Sequence, residues 1–175
     1  MDWYETVFEL IDMRSFSNLW YWIALAVLWS TASHWVIGVP YDMVQRAKRQ
    51  GGEGAEDLAD IVRVNVNRIA YIGEVSGIWI LAFGSAIMTA LGILGFWYWV
   101  EFAQAVFLLA FPMGIVGLLT LWTVRKIKEG NLAGEALYGA LNRHRLITQL
   151  IGIVSIFVTA VFGMYQNLNV GALGG

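Results

Sequence analysis

Apolar residues gather in four long runs, and the segments between the runs carry most of the charge. A helix needs roughly 20 such residues to cross the hydrocarbon core of a bilayer. The pattern therefore predicts an all-α membrane protein with a four-transmembrane-helix bundle in a single membrane domain, residues 1–175. The four predicted spans are residues 19–39, 77–95, 102–124 and 146–165.

The first polar connection, residues 41–68, is predicted to be a helical hairpin. A polar helix would continue from the first span to Gln50 and break at residues 51–54, where glycines permit positive φ. A new helix would follow and run into the second span.

The second polar connection, residues 125–145, is predicted to be a similar hairpin. One helix would end at Gly130, and a short helix over residues 132–145 would precede the fourth span. The two central spans are joined by residues 96–101, whose aromatic side chains suit the level of the lipid headgroups.

Residues 1–16 are predicted to form an amphipathic helix at the membrane interface. Interfacial helices usually carry Lys and Arg on their polar face, whereas this one carries acids. The acidic stripe is therefore either a solvated face or a partner surface, and its members are Asp2, Glu5, Glu9 and Asp12. The same acids, with no base among the first 13 residues, do not fit the basic start of a secretory signal peptide.

Composition and charge agree with a membrane location. The chain is 58% hydrophobic and 14% charged, whereas soluble domains are about 25% charged. Ten of the eleven Lys and Arg residues lie in the two polar connections, and such residues stay on the cytoplasmic side. We therefore expect a multi-pass protein of the bacterial inner membrane, with cytoplasmic connections and both termini periplasmic.

His34 is the one histidine within a predicted span, one helical turn after Ser30. Ionisable residues inside a membrane are candidate functional residues. His34 is therefore a candidate axial ligand of haem b or a proton carrier, although His144, the second histidine, is expected at a different depth. The alternative is a structural histidine that hydrogen-bonds Ser30 or a backbone carbonyl. No cofactor is expected under that interpretation.

Several other polar residues lie in or near the spans. Glu74 is predicted to pair with a base of the second polar connection, such as Arg143 or Arg145, or to belong to a proton path. Glu101 suits the positive end of a helix, and Gln104 and Gln149 are predicted to bridge helices.

Two backbone features bear on packing. Pro112 is predicted to kink the third span and free one carbonyl. Small residues at four-residue spacing favour close helix packing within the bundle or between two copies. In the second span they are Ala82, Ala86 and Ala90.

Some function classes have no support in the sequence. The chain has no cysteine, which excludes disulfides, thiolate metal sites and cysteine nucleophiles. It also has no phosphate-binding loop, HExxH motif or nucleophile elbow, so we expect no enzymatic activity. The basic clusters are explained by topology, and no nucleic-acid partner is expected.

Three stretches resemble a small family of bacterial inner-membrane proteins, some of which are labelled "component of SufBCD complex". They are MDWYETVFELIDMRSFSNLWYW at 1–22, EFAQAVFLLAFPM at 101–113 and HRLITQLIG at 144–152. The resemblance implies a link to Fe–S cluster assembly. Since the chain lacks cysteines, that role would be to anchor such a complex rather than to hold a cluster.

These observations leave three functional hypotheses. The first is a non-enzymatic accessory, assembly or anchoring subunit of a larger membrane-protein complex. The second is a haem- or quinone-associated electron-transfer subunit that uses His34. The third is a small transporter or channel that works as a homo-oligomer, with Glu74 and Pro112 along its path.

Overall fold

The computed structural model describes the backbone of residues 15–173 and the side chains of residues 15–168. This part of the chain is about 90% helical. Its five α-helices are α1 (Leu19–His34), α2 (Tyr41–Gln50), α3 (Gly52–Gly92), α4 (Glu101–Glu129) and α5 (Gly134–Leu173). A 3₁₀ turn at Ser15–Ser17 precedes α1, and a π-helical turn at Ile93–Trp97 extends α3. The acidic stripe of Asp2, Glu5, Glu9 and Asp12 lies outside the described residues.

Three helices in this part are long and apolar enough to cross a membrane. They are Gly52–Trp97, Glu101–Glu129 and Gly134–Leu168. The prediction of a helical chain with helices able to cross a membrane is confirmed, and three of the four predicted spans lie within these helices.

The predicted helix over residues 19–39 is wrong at its C-terminal end. Helix α1 has 16 residues and ends at His34, so it does not continue into the polar helix α2. At a rise of about 1.5 Å per residue it is about 24 Å long, short of the ~30 Å hydrocarbon core.

A β-hairpin interrupts the helix instead. Strand β1 (Trp35–Val36) pairs antiparallel with β2 (Val39–Pro40) through a two-residue turn. Both turn residues have positive φ, 52° at Ile37 and 75° at Gly38, as a type I′ turn requires. The physical reason is Pro40, which disfavours helical geometry at Val39, together with a glycine at Gly38 that accepts positive φ.

The hairpin is buried although it is not helical. Val36, Ile37 and Val39 are each at most 3% exposed, and they belong to a core cluster with Val62 of α3 and Leu141 of α5. Irregular backbone at membrane depth is tolerated where protein surrounds it. Burial of Ile37 also offsets the steric cost of positive φ at a β-branched residue.

Each polar connection has a short break at a glycine, and one long helix follows it into the next apolar stretch. Helix α2 ends at Gln50 and α3 begins at Gly52, so the first glycine break lies where the sequence predicts it. The predicted short helix over residues 132–145 is wrong as a separate element, because α5 is one helix of 40 residues. Neither glycine nor proline interrupts residues 140–151, so nothing ends the helix before the apolar stretch.

Helix α1 lies antiparallel along α5 over its whole length. Ser17 Oγ donates to Asn167 Oδ1 at 2.7 Å near one end, and Arg145 Nε donates to the Ser33 carbonyl at 3.2 Å near the other. Between them, Trp29 packs against Gly152. The short helix therefore accompanies the apolar part of α5 from end to end.

Candidate functional site

The inner face of α5 carries a row of buried polar side chains. His144, Thr148, Ser155 and Thr159 are each at most 5% exposed. Their spacing of four, seven and four residues keeps them on one face of the helix. At about 1.5 Å per residue the row is about 22 Å long, so α5 brings polar groups deep into an apolar bundle.

His144 begins the row at the end where the polar connections lie. Its Nε2 is 3.1 Å from Thr120 Oγ1 on α4, and Thr120 donates its own hydroxyl proton to the Val116 carbonyl at 2.8 Å. Since that hydroxyl has one proton, the imidazole Nε2–H is the donor to Thr120. The acceptor Nδ1 has no protein partner within the described residues.

The hydroxyls of α5 differ from those of the neighbouring helices. Thr89 and Thr123 each donate to the carbonyl four residues earlier at 2.8 Å, a common way to satisfy a hydroxyl within a helix. Thr148 and Ser155 make no such bond, and their buried Oγ atoms have no protein partner in the described part of the chain. Both hydroxyl oxygens are therefore enclosed within the bundle.

The far end of the row is closed by a network of amides and carbonyls. Gln104 is fully buried, donates to the Gly95 carbonyl at 2.7 Å and accepts from Gln166 Nε2. Tyr21 donates to the Ala105 carbonyl at 3.1 Å and lies beside Thr159. Gln104 thus bridges helices as predicted.

An apolar cleft of about 410 Å³ opens between α4 and α5. Phe107 and Phe111 line its α4 side, with ring centroids 5.4 Å apart and planes 12° from parallel. Pro112 lies beside them, and Ser155 contributes to the α5 side. The surface of the cleft is therefore apolar.

The residues predicted as a haem site do not come together. Ser30 and His34 are both exposed, and the side chain of Arg145 on α5 reaches the Ser33 carbonyl near the C-terminal end of α1. The difference in depth expected for His34 and His144 stays a prediction. The two still share no site, because His34 is exposed and His144 is buried against Thr120.

The predicted acidic candidates have structural partners. Glu74 pairs with Lys128 at 3.2 Å, and both side chains are well exposed. Its partner is a base of the second polar connection, as predicted, but it is neither Arg143 nor Arg145. Glu101 accepts the Phe16 backbone N–H at 2.8 Å, which ties the first turn of the described chain to the start of α4.

The remaining candidates are Gln149, which is half-buried, and Pro112, which lies within the unbroken helix α4. Sequence reasoning missed His144 and Thr148, which it placed outside the bundle or did not consider. Their spacing with Ser155 and Thr159 is typical of one helix face, but the four residues share a face only because α5 is one continuous helix.

Among the described residues, no three His, Asp or Glu side chains meet as a metal site would require. No protein-family model, curated protein or solved structure matches the chain.

Proposed function

We propose that the protein is a non-enzymatic accessory subunit of a larger complex in the bacterial inner membrane. One observation carries the proposal. The apolar stretch of α3 that qualifies as a membrane span is 0% buried, compared with 28% for α5. A helical stretch that is not buried within its own bundle is available to pack against another membrane protein.

The outward face of α3 suits such packing. Ala82, Ala86 and Ala90 are all exposed, and their spacing of four residues places them on one stripe. Helix association in lipid relies on close backbone approach at small residues rather than on the hydrophobic effect. This stripe therefore supports a protein neighbour over lipid alone.

The proposed topology has four crossings, with α1 and the buried β-hairpin as the first. Contacts at the basic end include Lys128 with Glu74 and Lys48 with Glu135, so both polar connections lie at one end of the bundle. Lys and Arg favour the cytoplasmic side. The opposite end, with Ser17 and Asn167, would then face the periplasm.

The absence of native cysteines gives a direct test. Ala86→Cys would be labelled in native membranes with benzophenone-4-maleimide, whose photoactivated ketone inserts into C–H bonds of an apolar neighbour, and adducts would be identified by mass spectrometry. We expect a stoichiometric adduct with a different membrane protein. Ala24→Cys, an equally small exposed position on α1, is the matched control and should give little of it.

The other results would contradict the proposal. An adduct with the mass of two copies would make the protein a homo-oligomer, and an Ala86→Cys protein that stays monomeric would leave α3 facing lipid. If the partner belonged to the Fe–S cluster assembly machinery, the sequence resemblance would gain support as well.

A further inference from the structure

We propose that a cleft between α3 and α4 binds a phospholipid headgroup that carries both a phosphate and a primary ammonium group. The cleft has a volume of about 220 Å³. Its less exposed lining is apolar and forms the floor, whereas its exposed lining is charged and forms the rim. The floor residues are Ala70, Gly73, Leu121 and Val124, and the rim residues are Glu74, Arg125, Lys128 and Glu129.

The cleft lies at the level expected for lipid headgroups. Glu74 precedes the apolar run 77–95 by three residues, and Arg125 directly follows the run 102–124. Trp122, on the same turn of α4, is 52% exposed, and exposed tryptophans suit the membrane interface. The basic connections lie at this end of the bundle, so the lipid would belong to the cytoplasmic leaflet. The inference depends on α3 and α4 crossing the membrane and not on a protein partner at α3.

The charges of the rim narrow the class of headgroup. Two acids and two bases cancel, so the rim has no net charge. Glu74 and Lys128 satisfy each other at 3.2 Å. Arg125 and Glu129, in contrast, form no ion pair within the described part of the chain. One guanidinium and one carboxylate at the rim are therefore available to a ligand of mixed charge.

A headgroup with a phosphate and a primary ammonium matches this pair. The guanidinium of Arg125 presents a fork of N–H donors that suits phosphate oxygens, and the Glu129 carboxylate can accept from the ammonium N–H groups. A quaternary ammonium has no N–H to donate. Basic pockets at this side of a membrane bind anionic headgroups, but such a headgroup would leave the two acids of this rim beside its negative charge, which is unfavourable.

The floor of the cleft favours a lipid over a soluble ester of the same chemistry. Leu118, Leu121 and Arg125 follow one another at spacings of three and four residues, so they lie on one face of α4. Leu118 is 60% exposed and lies about one turn deeper than Leu121. An acyl chain of the bound lipid can therefore lie on α4 directly below the site of its headgroup.

The test is native mass spectrometry of the purified full chain in detergent, titrated with lipids that share dioleoyl chains and differ in headgroup. One hydrogen bond corresponds to about a three- to tenfold change in Kd. We expect the ethanolamine lipid to bind more tightly than the choline and glycerol lipids by that factor. Arg125→Gln should weaken binding of all three lipids, because all carry the phosphate, whereas Glu129→Gln should weaken binding of the ethanolamine lipid alone.

Lys126→Gln is the matched control. Lys126 is the neighbouring base, but it lies over the Trp122 ring, 5.4 Å from its centroid, and does not line the cleft. Its removal should leave each Kd unchanged. Arg125, Lys126 and Glu129 are all exposed, so the three variants should fold.

Three results would overturn the proposal. Tightest binding of the glycerol lipid would mean that the site selects anionic lipids. Equal losses in Arg125→Gln and Lys126→Gln would show general attraction to a basic surface. Phosphoethanolamine without acyl chains should not displace the lipid at equal concentration, and displacement would mean that the ligand is a soluble ester. None of these results bears on the contact tested at Ala86, which lies deeper on α3.

Discussion

Among the glycines of the described helices, Gly152 of α5 has the least room for a side chain, because Trp29 of α1 packs against it. A Cβ placed at Gly152 would lie 2.7 Å from Cε3 of Trp29, and 3.1 Å and 3.3 Å from two further indole atoms. Carbon atoms normally rest about 3.5–4.0 Å apart. Gly152→Ala therefore forces a rigid ring, itself 4% exposed, to retreat by about 1 Å.

The magnitude follows from two opposing effects. Overpacking a filled interior costs about 1–3 kcal/mol, whereas replacing glycine with alanine in a helix interior gains about 0.5–1 kcal/mol. Gly152→Ala should thus lower the free energy of unfolding by up to about 2 kcal/mol net. Gly139, in the same helix, has open space where its Cβ would stand, so Gly139→Ala should be neutral or stabilising.

Gly163 gives a third Gly→Ala variant, with an expected loss of stability between those of Gly152→Ala and Gly139→Ala. A Cβ at Gly163 would lie 3.2 Å from Phe16 and from Trp22, so Gly163→Ala should fall between the other two. The assay is unfolding of the detergent-solubilised protein by increasing mole fractions of SDS, followed by fluorescence of its nine tryptophans. Trp29→Phe removes the contacting ring atoms and should rescue Gly152→Ala.

The reasoning would be refuted if Gly152→Ala unfolded at the same SDS fraction as Gly139→Ala. The same conclusion would follow if Trp29→Phe added its own destabilisation without any rescue, since the two residues would then be energetically independent.

Three further predictions concern the hairpin, the amide bridge and the surface ion pair. Gly38→Ala should destabilise the protein by about 1–2 kcal/mol, the cost of left-handed geometry at a non-glycine residue. The new Cβ would also lie 3.0 Å from Asn65 Nδ2. An unchanged unfolding midpoint in the SDS assay would contradict this. Gln104→Leu should lower the free energy of unfolding by about 1–3 kcal/mol, because it leaves the Gly95 carbonyl without a donor. Gln149→Leu, at a half-buried position, should lower it much less. Equal losses in thermal stability would argue against the bridge. Glu74→Gln should change the free energy of unfolding by less than about 1 kcal/mol, as is usual for exposed ion pairs. A larger loss of stability would mean that the Glu74–Lys128 pair is buried in a complex.

Part of the candidate site could be predicted from the sequence. Gln104 was identifiable as a bridging amide, because an amide in an apolar run has few other ways to be satisfied. Pro112 marks a freed carbonyl by its covalent structure alone. The Glu74 partner could not be chosen, because Arg143, Arg145 and Lys128 are all bases of the same connection, and only packing decides which of them reaches the carboxylate.

The sequence by itself determined that most of the chain is helical and that three of its helices are apolar enough for a membrane, because length and hydropathy suffice for that. The sequence also predicted the helix break after Gln50, because glycine is tolerated at positive φ where other residues are not.

Only the tertiary structure decided that the first apolar run ends as a helix at His34. A hairpin with positive φ at Ile37 is stable because α2, α3 and α5 bury it. No local sequence pattern predicts that burial. The same holds for the two histidines. Sequence position favoured His34, within the run, over His144, beside two arginines. In the structure His144 is buried and His34 is exposed, because the rotation of each helix about its axis sets which side chains face inward. That rotation depends on the neighbouring helices.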